Sequence, residues 1–442
     1  MQTMKTALME VMREFYDEGV PTGIVHRDIE YVEKPRAATV VKGMRRTGKT
    51  FVTYERMQAL IAQGIPIGRI IHVNFEDERL ARLTVEHLHL IGEIHAEIFP
   101  EHAHDVCWYF LDEIQRVDGW ESYVRRLVDS KLVRVCLTGS SSKLLSEEIA
   151  TQMRGRSLPI EVFPLSFREF IRFNGLMPKI PRHNTVSSKE KGLLRHAMAQ
   201  YFERGGFPDV QDLSNRMRTS VLQGYVDAVL YRDILERHSV TSVTALKYTI
   251  DYLLHNYARQ ASTRAIAGVL KNLSVAASRE DISEYISYLK DAYLIHPVPI
   301  HSGSLAVRRV NPEKYYIIDT GLIRAMNVKT DSEQGWLLEN LVFLILRRKF
   351  SRIEYYLTKD GKEIDFFITD MTERTSRLVQ VSWEMSSADT RKRELSAMRA
   401  AMAETGITDC VIVTWDEDEI TDDCIRIVPV WKWALEEDIS PK

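Results

Sequence analysis

The segment from Gly43 to Thr50 has the residue types and spacing needed to hold the phosphates of a nucleotide. It reads GMRRTGKT and fills every fixed position of the phosphate-loop pattern GxxxxGK(S/T). In such a loop backbone N–H groups surround the phosphates, Lys49 reaches the outer ones, and the Thr50 hydroxyl binds magnesium. We therefore predict that ATP and Mg2+ bind here. The predicted nucleotide-binding residues are Gly43, Met44, Arg45, Arg46, Thr47, Gly48, Lys49 and Thr50.

Two acidic residues follow an apolar run that is typical of a buried strand. Residues 106–111 read VCWYFL, and Asp112 and Glu113 come directly after them. Hydrolysis of a γ-phosphate needs one carboxylate near magnesium and a second beside the attacking water. We expect Asp112 to bind Mg2+ and Glu113 to activate the water, which is the Walker B arrangement. A strand that ends in two solvated acids is the alternative, and the phosphate loop upstream argues against it.

Hydroxyl and guanidinium groups follow the next strand-like run. Thr138 and Ser140 come at the end of residues 133–138, where ligands of parallel sheets collect, so both are candidates to contact the γ-phosphate. A serine-rich helix cap is the alternative for this pair. Arg154 and Arg156 could each offer a guanidinium to the γ-phosphate, within the chain or across a subunit contact. Ordinary solvated loop arginines are the alternative for the second pair.

These residues need a parallel sheet to bring them together. Between residues 37 and 162 short β-rich runs alternate with helical patterns, which indicates βαβ units. A helix from Thr50 to Gln63 is predicted to end at Gly64 and to direct its amino terminus at the phosphates. The predicted strands are Ala38 to Val41, Arg69 to Asn74, Val106 to Leu111, Val133 to Thr138 and Leu158 to Phe163.

Length and composition limit the classes of protein that remain. The chain has 442 residues, a hydrophobic share of 45%, a charged share of 27% and a net charge of −3, so no global charge points to nucleic acid or membrane. Two to four domains are expected. Four cysteines in strand-like runs without CxxC spacing predict buried free thiols and a reducing compartment. With no segment of membrane-spanning length, we interpret the protein as cytoplasmic, without a membrane partner. The cysteines are Cys107, Cys136, Cys410 and Cys424.

The pattern along the chain predicts four domains. Residues 1–165 form the nucleotide-binding core, and residues 166–236 form a helical lid and connector with a turn at Gly205-Gly206-Phe207-Pro208. The stretch from Met177 to Ser188 reads as connector. Residues 237–328 form a helical module with two strands, and residues 329–442 form an α/β domain.

The third domain has the order of a helix-turn-helix with a wing. A helix over 263–270 precedes a helix that starts at Ser278, and two strands with a glycine turn at 301–304 follow. Its basic residues would contact phosphates if the module binds DNA, whereas Glu280, Asp281 and Glu284 on the second helix would repel them. DNA binding and protein binding both stay open. The basic residues are Arg264, Lys271, Arg279, Lys290, Arg308 and Arg309.

The chain as a whole resembles a known family, the prokaryotic ATPases of the AAA+ class that carry a carboxy-terminal DUF4143-type region. The resemblance rests on Gly43 to Thr50, LDEIQRVDGWE, LTGSSSKLL, RGRSLPIEVFPLSFREF, GGFPD, YRDIL, YYIIDTGL and ENLVFLILRRK. It implies an α/β fold: a P-loop ATPase with a parallel sheet and helical lid, then a winged-helix module and a restriction-endonuclease-like domain. It also implies an ASCE-type core, with Asp112 as magnesium ligand and Glu113 as the base.

The last domain resembles the PD-(D/E)XK nucleases but lacks part of their site. Glu339 and Asp365 match the pattern, whereas Gln380 and Ser382 stand where the pattern has glutamate and lysine. Losing a carboxylate weakens a metal site, and losing the lysine removes a charge that helps the nucleophile. We therefore expect a catalytically degenerate site, although Glu384 could partly compensate by strand alternation. Alternatively, Glu339 and Asp365 are a structural pair.

These observations predict a Mg2+-dependent ATPase whose nucleotide state controls a carboxy-terminal DNA- or protein-binding region. A DNA-binding regulatory protein with incidental hydrolysis is one alternative. An ATP-coupled nuclease of a defence or mobile-element system is another, and Gln380 and Ser382 argue against it. Oligomers are compatible with all three.

Overall fold

The chain divides after Phe163 into two units, Met1–Phe163 and Pro164–Lys442. The structure is a computed structural model that describes residues 2–139, 155–176, 187–327 and 333–437. Most of the predicted connector from Met177 to Ser188 lies outside the described residues. The predicted subdivision of the second unit near residues 236 and 328 stays a prediction.

A five-stranded parallel sheet organises the first unit. Its strand order is β2-β3-β4-β1-β5, and β1 pairs with β4 on one side and β5 on the other. All five predicted strands are confirmed, and their ends differ from the prediction by at most two residues. The strands are β1 (Ala38–Lys42), β2 (Ile70–Asn74), β3 (Cys107–Asp112), β4 (Val133–Gly139) and β5 (Ser157–Glu161).

Helices cover both faces of this sheet. Leu8 and Met12 of α1 pack with Ile91 and Val124 on one face, and Met57 of α2 packs on the other. Helix α2 ends at Ala62, two residues before Gly64, whose φ of +88° is a left-handed conformation that glycine adopts without strain. The helices are α1 (Gln2–Glu18), α2 (Lys49–Ala62), α3 (Leu90–Ile98) and α4 (Trp120–Asp129).

The second unit begins with helices, and a glycine turn at Gly205 and Gly206 follows the helix that ends at Arg204. Asp319 accepts a hydrogen bond from Gly206 N at 2.6 Å and one from Leu322 N at 2.9 Å. Around this carboxylate the backbone is so close that a Cβ on Gly321 would lie within 3.0 Å of the Arg204 carbonyl. The helices are α5 (Phe167–Phe173), α6 (Ser188–Arg204) and α7 (Asn215–Ala228), and a π-helical turn (Val229–Leu235) follows α7.

A three-stranded antiparallel sheet with helices follows. Its strand order is β6-β8-β7. The helix predicted to start at Ser278 is confirmed, because Asp281 N donates to Ser278 Oγ at 3.0 Å. The expected glycine turn between the last two strands is longer than predicted, since Ser304 begins a further helix. The elements are α8 (Val243–His255), β6 (Gln260–Ala261), α9 (Thr263–Asn272), α10 (Arg279–Asp291), β7 (Ile295–Val298), α11 (Leu305–Val310), β8 (Glu313–Ile317) and α12 (Thr320–Met326).

A mixed six-stranded sheet completes the second unit. The strand order is β13-β14-β12-β11-β10-β9, with parallel pairing of β11 to β12 and of β12 to β14. Helix α13 is buried from Leu337 to Leu346. Among the described helices none combines the length and hydrophobicity needed to cross a membrane. The elements are α13 (Gln334–Lys349), β9 (Ile353–Leu357), β10 (Glu363–Asp370), β11 (Thr375–Val381), α14 (Ala388–Thr405), β12 (Cys410–Thr414), β13 (Glu419–Ile420), β14 (Arg426–Pro429) and α15 (Val430–Glu437).

The cysteine prediction is right for three residues and wrong for one. Cys107, Cys136 and Cys410 are buried free thiols in strands, as expected. Cys424 is exposed, because it lies in a turn before β14 rather than in the strand. Its φ of +62° and the bond from its N–H to Thr421 O at 2.9 Å belong to that turn.

His72 makes the first unit sensitive to acid. It lies on β2 between Phe15 and Tyr54, and burial lowers its pKa to about 4. The unfolded chain takes up a proton near pH 6.5, whereas the folded chain does so only near pH 4, so stability falls as the pH drops between these values. We expect His72→Phe to remove up to about 3 kcal/mol of that loss.

Thermal unfolding of the wild type and the variant at pH 7.5, 6, 5 and 4 measures this effect. His104→Phe, at an exposed histidine of the same unit, is the matched control. Parallel pH profiles for wild type and His72→Phe would contradict the assignment.

Candidate functional site

The phosphate loop connects β1 to α2 and adopts three left-handed backbone conformations. The φ angles are +146° at Gly43, +66° at Arg46 and +92° at Gly48. A Cβ on Gly43 would lie within 3.0 Å of the Val162 carbonyl, so the glycine is required there for space as well as for conformation. Inside the loop the Thr47 hydroxyl donates to Met44 O at 2.9 Å.

Lys49 and Thr50 begin helix α2 and direct their side chains to the strand ends. Lys49 is buried; its Nζ donates to Met44 O at 3.1 Å and lies 3.9 Å from Glu113 Oε1. The Thr50 hydroxyl donates to Asp112 Oδ2 at 2.8 Å. The two loop residues expected to contact phosphate and magnesium therefore lie next to the two expected acids.

Asp112 is the last residue of β3, and Glu113 follows it in a left-handed conformation with φ +55°. Burial raises the pKa of Asp112, and hydrogen bonds from Thr138 and Thr50 oppose that rise. The left-handed step turns Glu113 out of the strand direction, so that its side chain reaches Lys49 and accepts a short hydrogen bond from Gln115 Nε2. The two carboxylates thus point into the same site from successive positions.

Thr138 links the two strands at this edge. Its hydroxyl donates to Asp112 and accepts a hydrogen bond from Glu113 N at 3.1 Å. The structure thus brings this predicted residue to the acids. The helix-cap alternative depends on segment 140–154, and the candidates Ser140 and Arg154 lie in that segment, outside the described residues.

Arg156 lies at the wrong end of the sheet to serve the phosphate loop of its own chain. Its carbonyl accepts a hydrogen bond from Ala38 N at 2.9 Å, and Ala38 begins β1, whereas the loop follows the other end of β1. The separation is roughly 15 Å, one strand length. Its guanidinium pairs with Asp129 at 2.5 Å. The in-chain arginine prediction is wrong for this residue, because β5 runs parallel to β1.

Arg27 supports the phosphate loop, although no sequence pattern indicated it. The side chain is buried, with Nη1 donating to Thr47 O at 2.9 Å and Nη2 donating to Phe163 O at 2.8 Å. It also lies against Gly48, where an added Cβ would be 3.1 Å from Nη1. Arg27 stands in a segment without regular secondary structure, so periodicity carried no signal for it.

Glu76 is a second site residue that the sequence did not indicate. It comes two residues after β2 and accepts hydrogen bonds from Arg45 at 3.2 Å and from Arg116 at 3.0 Å. Burial would raise its pKa, but the two guanidinium groups lower it. Arg45 of the phosphate loop is therefore connected to the strand beside Asp112. The signal available was the position of Glu76 just past a predicted strand.

The structure also brings together the nuclease-like residues of the second unit. Asp365 N donates to Gln380 Oε1 at 3.1 Å, while Lys314 from β8 lies between Glu339 and Asp365. Ser382 is directed elsewhere, since its hydroxyl donates to the carbonyl of Glu384 at 2.9 Å.

The proposed compensation by Glu384 is wrong. Strand β11 ends at Val381, so alternation along the strand does not extend to Glu384. Its side chain is exposed, whereas Glu339 and Asp365 are buried.

Comparisons with protein families divide the chain into three matched parts. Residues 35–171 match an AAA domain (AAA_14). Residues 195–333 match a domain of unknown function (DUF8612), and residues 334–433 match another (DUF4143). The first match covers the parallel sheet and the phosphate loop. The third covers Glu339, Asp365, Gln380 and Ser382, whereas Lys314 lies in the second.

Relatives extend over almost the whole chain. An uncharacterized protein of Methanocaldococcus jannaschii is 33% identical over 98% of this chain and 96% of its own length. An uncharacterized protein of Haemophilus influenzae is 30% identical over 78% of this chain and 82% of its own length. Among solved structures, a Walker-type ATPase of Pyrococcus abyssi is 13% identical, with a TM-score of 0.40 over 73% of this chain and 94% of that chain.

Arg27→Met tests whether the guanidinium supports the loop. The variant leaves the carbonyls of Thr47 and Phe163 without their charged donor, so we expect ATP to bind roughly tenfold more weakly. Titration with a fluorescent ATP analogue measures the affinity, and Arg13→Met, at an exposed arginine of α1, is the control. Equal affinities for Arg27→Met and wild type would exclude the supporting role.

Proposed function

Because the chain belongs to the family of prokaryotic proteins that join an AAA domain to a carboxy-terminal DUF4143 domain, we propose that it is a magnesium-dependent ATPase. In this proposal the nucleotide state controls a binding region in the carboxy-terminal part. The AAA domain supports the nucleotide-binding half of the proposal, and the arrangement of side chains at the sheet edge supports hydrolysis.

One observation carries the proposal: side chains from three chain segments meet at the carboxyl edge of the parallel sheet. Thr50 donates to Asp112, Thr138 donates to the same carboxylate, and Lys49 lies 3.9 Å from Glu113. Each group matches a separate requirement of phosphoryl transfer to water. Their convergence is far more specific than the phosphate-loop pattern by itself.

The oxygen atoms of Thr50 and Asp112 fit a magnesium ion. They are 2.8 Å apart, and Mg2+ prefers hydroxyl and carboxylate oxygens. Thr50 and Asp112 would hold the ion, which would neutralise charge on the phosphate oxygens when bound. Burial of Asp112 raises its pKa, so a cation beside it also relieves the cost of an ionised buried carboxylate.

The chain's own residues divide the remaining work. Glu113 is the group that orients the attacking water and accepts its proton, and Gln115 holds that carboxylate in place. Lys49 contacts Met44 O and Glu113, and phosphate oxygens would compete for the same ammonium. Thr138 positions Asp112 and the backbone of Glu113, which we infer is its main role at the site.

The carboxy-terminal binding region contains a module that we interpret as a winged helix. Its order of α8, β6, α9, α10, β7 and β8, with strand order β6-β8-β7, supports this interpretation. The charges on its surface are mixed: Arg279 and Lys290 on α10 are exposed together with Glu280 and Glu284. Mixed charges are a poor match to a phosphate backbone.

Two further observations favour a protein partner over DNA for this module. Arg308 is already engaged, because its Nη2 lies 3.1 Å from the buried carboxylate of Glu354. The same helix, α11, exposes the apolar side chains of Leu305 and Val310, at 73% and 81%. Exposed apolar groups beside a polar rim are typical of protein contacts. DNA binding is the second candidate, supported by the element order and by exposed basic residues such as Arg309.

Substitutions of Lys49 and Glu113 separate ATP binding from hydrolysis. Lys49→Ala removes the phosphate-binding charge, so we expect loss of ATP binding. Glu113→Gln keeps the shape but cannot accept a proton, so we expect normal binding and roughly 100-fold slower turnover. Phosphate release and analogue titration measure the two effects.

The control for these substitutions is Glu101→Gln, at an exposed glutamate of the same unit. Wild-type turnover in either Lys49→Ala or Glu113→Gln would refute the proposed site.

Double-stranded DNA tests the choice of partner. Since the exposed charges of α10 are mixed and Arg308 is engaged, we expect DNA to leave the ATPase rate unchanged and to give no salt-dependent mobility shift. A shift that weakens steeply with salt and is reduced by Arg309→Ala, at an exposed arginine, would instead establish the DNA-binding alternative. Lys189→Ala, at an exposed lysine outside the module, is the control.

A further inference from the structure

An ammonium group lies at the centre of the nuclease-like carboxylates. Lys314 is on β8, the middle strand of the three-stranded sheet, and its side chain is 4% exposed. Its Nζ lies 2.6 Å from Glu363 Oε1, 2.8 Å from Glu339 Oε1 and 3.1 Å from Asp365 Oδ1. A lysine ammonium has three N–H donors, so each is matched by one carboxylate.

The charges around Lys314 keep it protonated. Burial alone would lower its pKa, but the nearby carboxylates raise it well above the ordinary value. Burial and the neighbouring Glu339 also raise the pKa of Asp365, to about 8. Burial also raises the pKa of Glu339, so further negative charge is disfavoured in the centre, and the Lys314 ammonium, in direct contact with all three acids, offsets that cost.

Other donors also contact oxygen atoms of the centre, including the Glu339 oxygen that contacts Lys314. Tyr316 donates to Glu339 Oε1 at 2.6 Å, and Val381 N donates to Asp365 Oδ2 at 2.9 Å. Gln380, at the position of the missing acid, directs its amide to Glu394 at 2.8 Å. A divalent cation entering this arrangement would have to displace the ammonium or lie beside it, and both options are electrostatically unfavourable.

We propose that the Lys314 ammonium fills the cation position of the centre formed by Glu339, Glu363 and Asp365, so that the centre holds the three-stranded sheet against the carboxy-terminal sheet and excludes divalent metal. The lysine comes from residues 195–333, while the three acids come from residues 334–433. The contact thus connects two separately matched parts of the chain. It is independent of the proposed ATPase activity.

The proposal makes a divalent or trivalent cation site available once the lysine is shortened. The three N–O distances, 2.6 to 3.1 Å, are close to the 2.3–2.6 Å of calcium–oxygen bonds, so a calcium-sized ion fits the vacated position after a small inward movement. Lanthanides bind the same oxygen ligands, and Tyr316 beside Glu339 would sensitise terbium luminescence.

Terbium titration of nucleotide-free full-length protein tests the proposal. We expect Lys314→Ala to gain tyrosine-sensitised luminescence and to bind Tb3+ on the order of 100-fold more tightly than wild type. The gain should disappear in Lys314→Ala/Asp365→Asn. Surface carboxylates and Asp112 contribute equally in all variants, so dependence on Asp365 identifies the site. Calcium should raise the melting temperature of Lys314→Ala but not that of the double variant.

Two results would overturn the proposal. One is a Tb3+ signal in wild type that Asp365→Asn removes, since the lysine would then not exclude metal. The other is a folded Lys314→Ala, by circular dichroism and ATP binding, without a gain in Tb3+ affinity. If the alanine variant does not fold, Lys314→Gln, which retains a hydrogen-bond donor but no charge, gives the same comparison.

Discussion

The buried carboxylate of Asp112 is the point on which the nucleotide-binding unit depends. It lies at the end of β3, in the interior of the sheet edge, where burial raises its pKa. Two hydroxyl donors compensate that burial, Thr50 from the helix after β1 and Thr138 from β4. The same bonds that stabilise the charge also fix the register of three chain segments. The contacts that stabilise this carboxylate are therefore the ones on which the proposed catalytic geometry depends.

The sequence allowed the strands and the central site to be predicted because both leave short-range signals. Asp112 and Glu113 directly follow an apolar run, and the loop pattern is contiguous. Arg27 left no such signal, and Glu76 left only its position just past a predicted strand. Arg27 reaches Thr47 and Phe163 from an irregular segment, and only the folded chain brings these together. Arg156 was misplaced although its position was available from the order of the elements, because a residue just before a strand of a parallel sheet lies at the edge opposite the phosphate loop.

At the centre formed by Glu339, Glu363 and Asp365, too, one residue could not be assigned from the sequence. Glu339 and Asp365 were assigned from the resemblance to the nuclease pattern, and the missing lysine was sought at position 382, where that pattern has it. The structure contains a lysine at the centre, but it comes from β8 and is 25 residues before Glu339 and 51 before Asp365. A sequence motif covers residues of one chain segment, whereas the charge that neutralises buried acids can come from a distant segment that folding brings close. Lys314 could therefore not be assigned before the sheet positions were known.

The glycine turn at residues 205–206 has a consequence for how this chain can change over generations. A side chain on Gly205 would meet the carboxylate of Asp319; a second substitution at Asp319 could make room for it, but the φ of +74° at Gly205 would keep it strained. Side chains on Gly206 and Gly321 would instead meet the carbonyls of Leu165 and Arg204. Every amino acid carries a carbonyl, so no replacement at 165 or 204 restores the space. A substitution of Gly206 or Gly321 therefore cannot be compensated by a second substitution at 165 or 204, and selection can act only on the two glycines themselves.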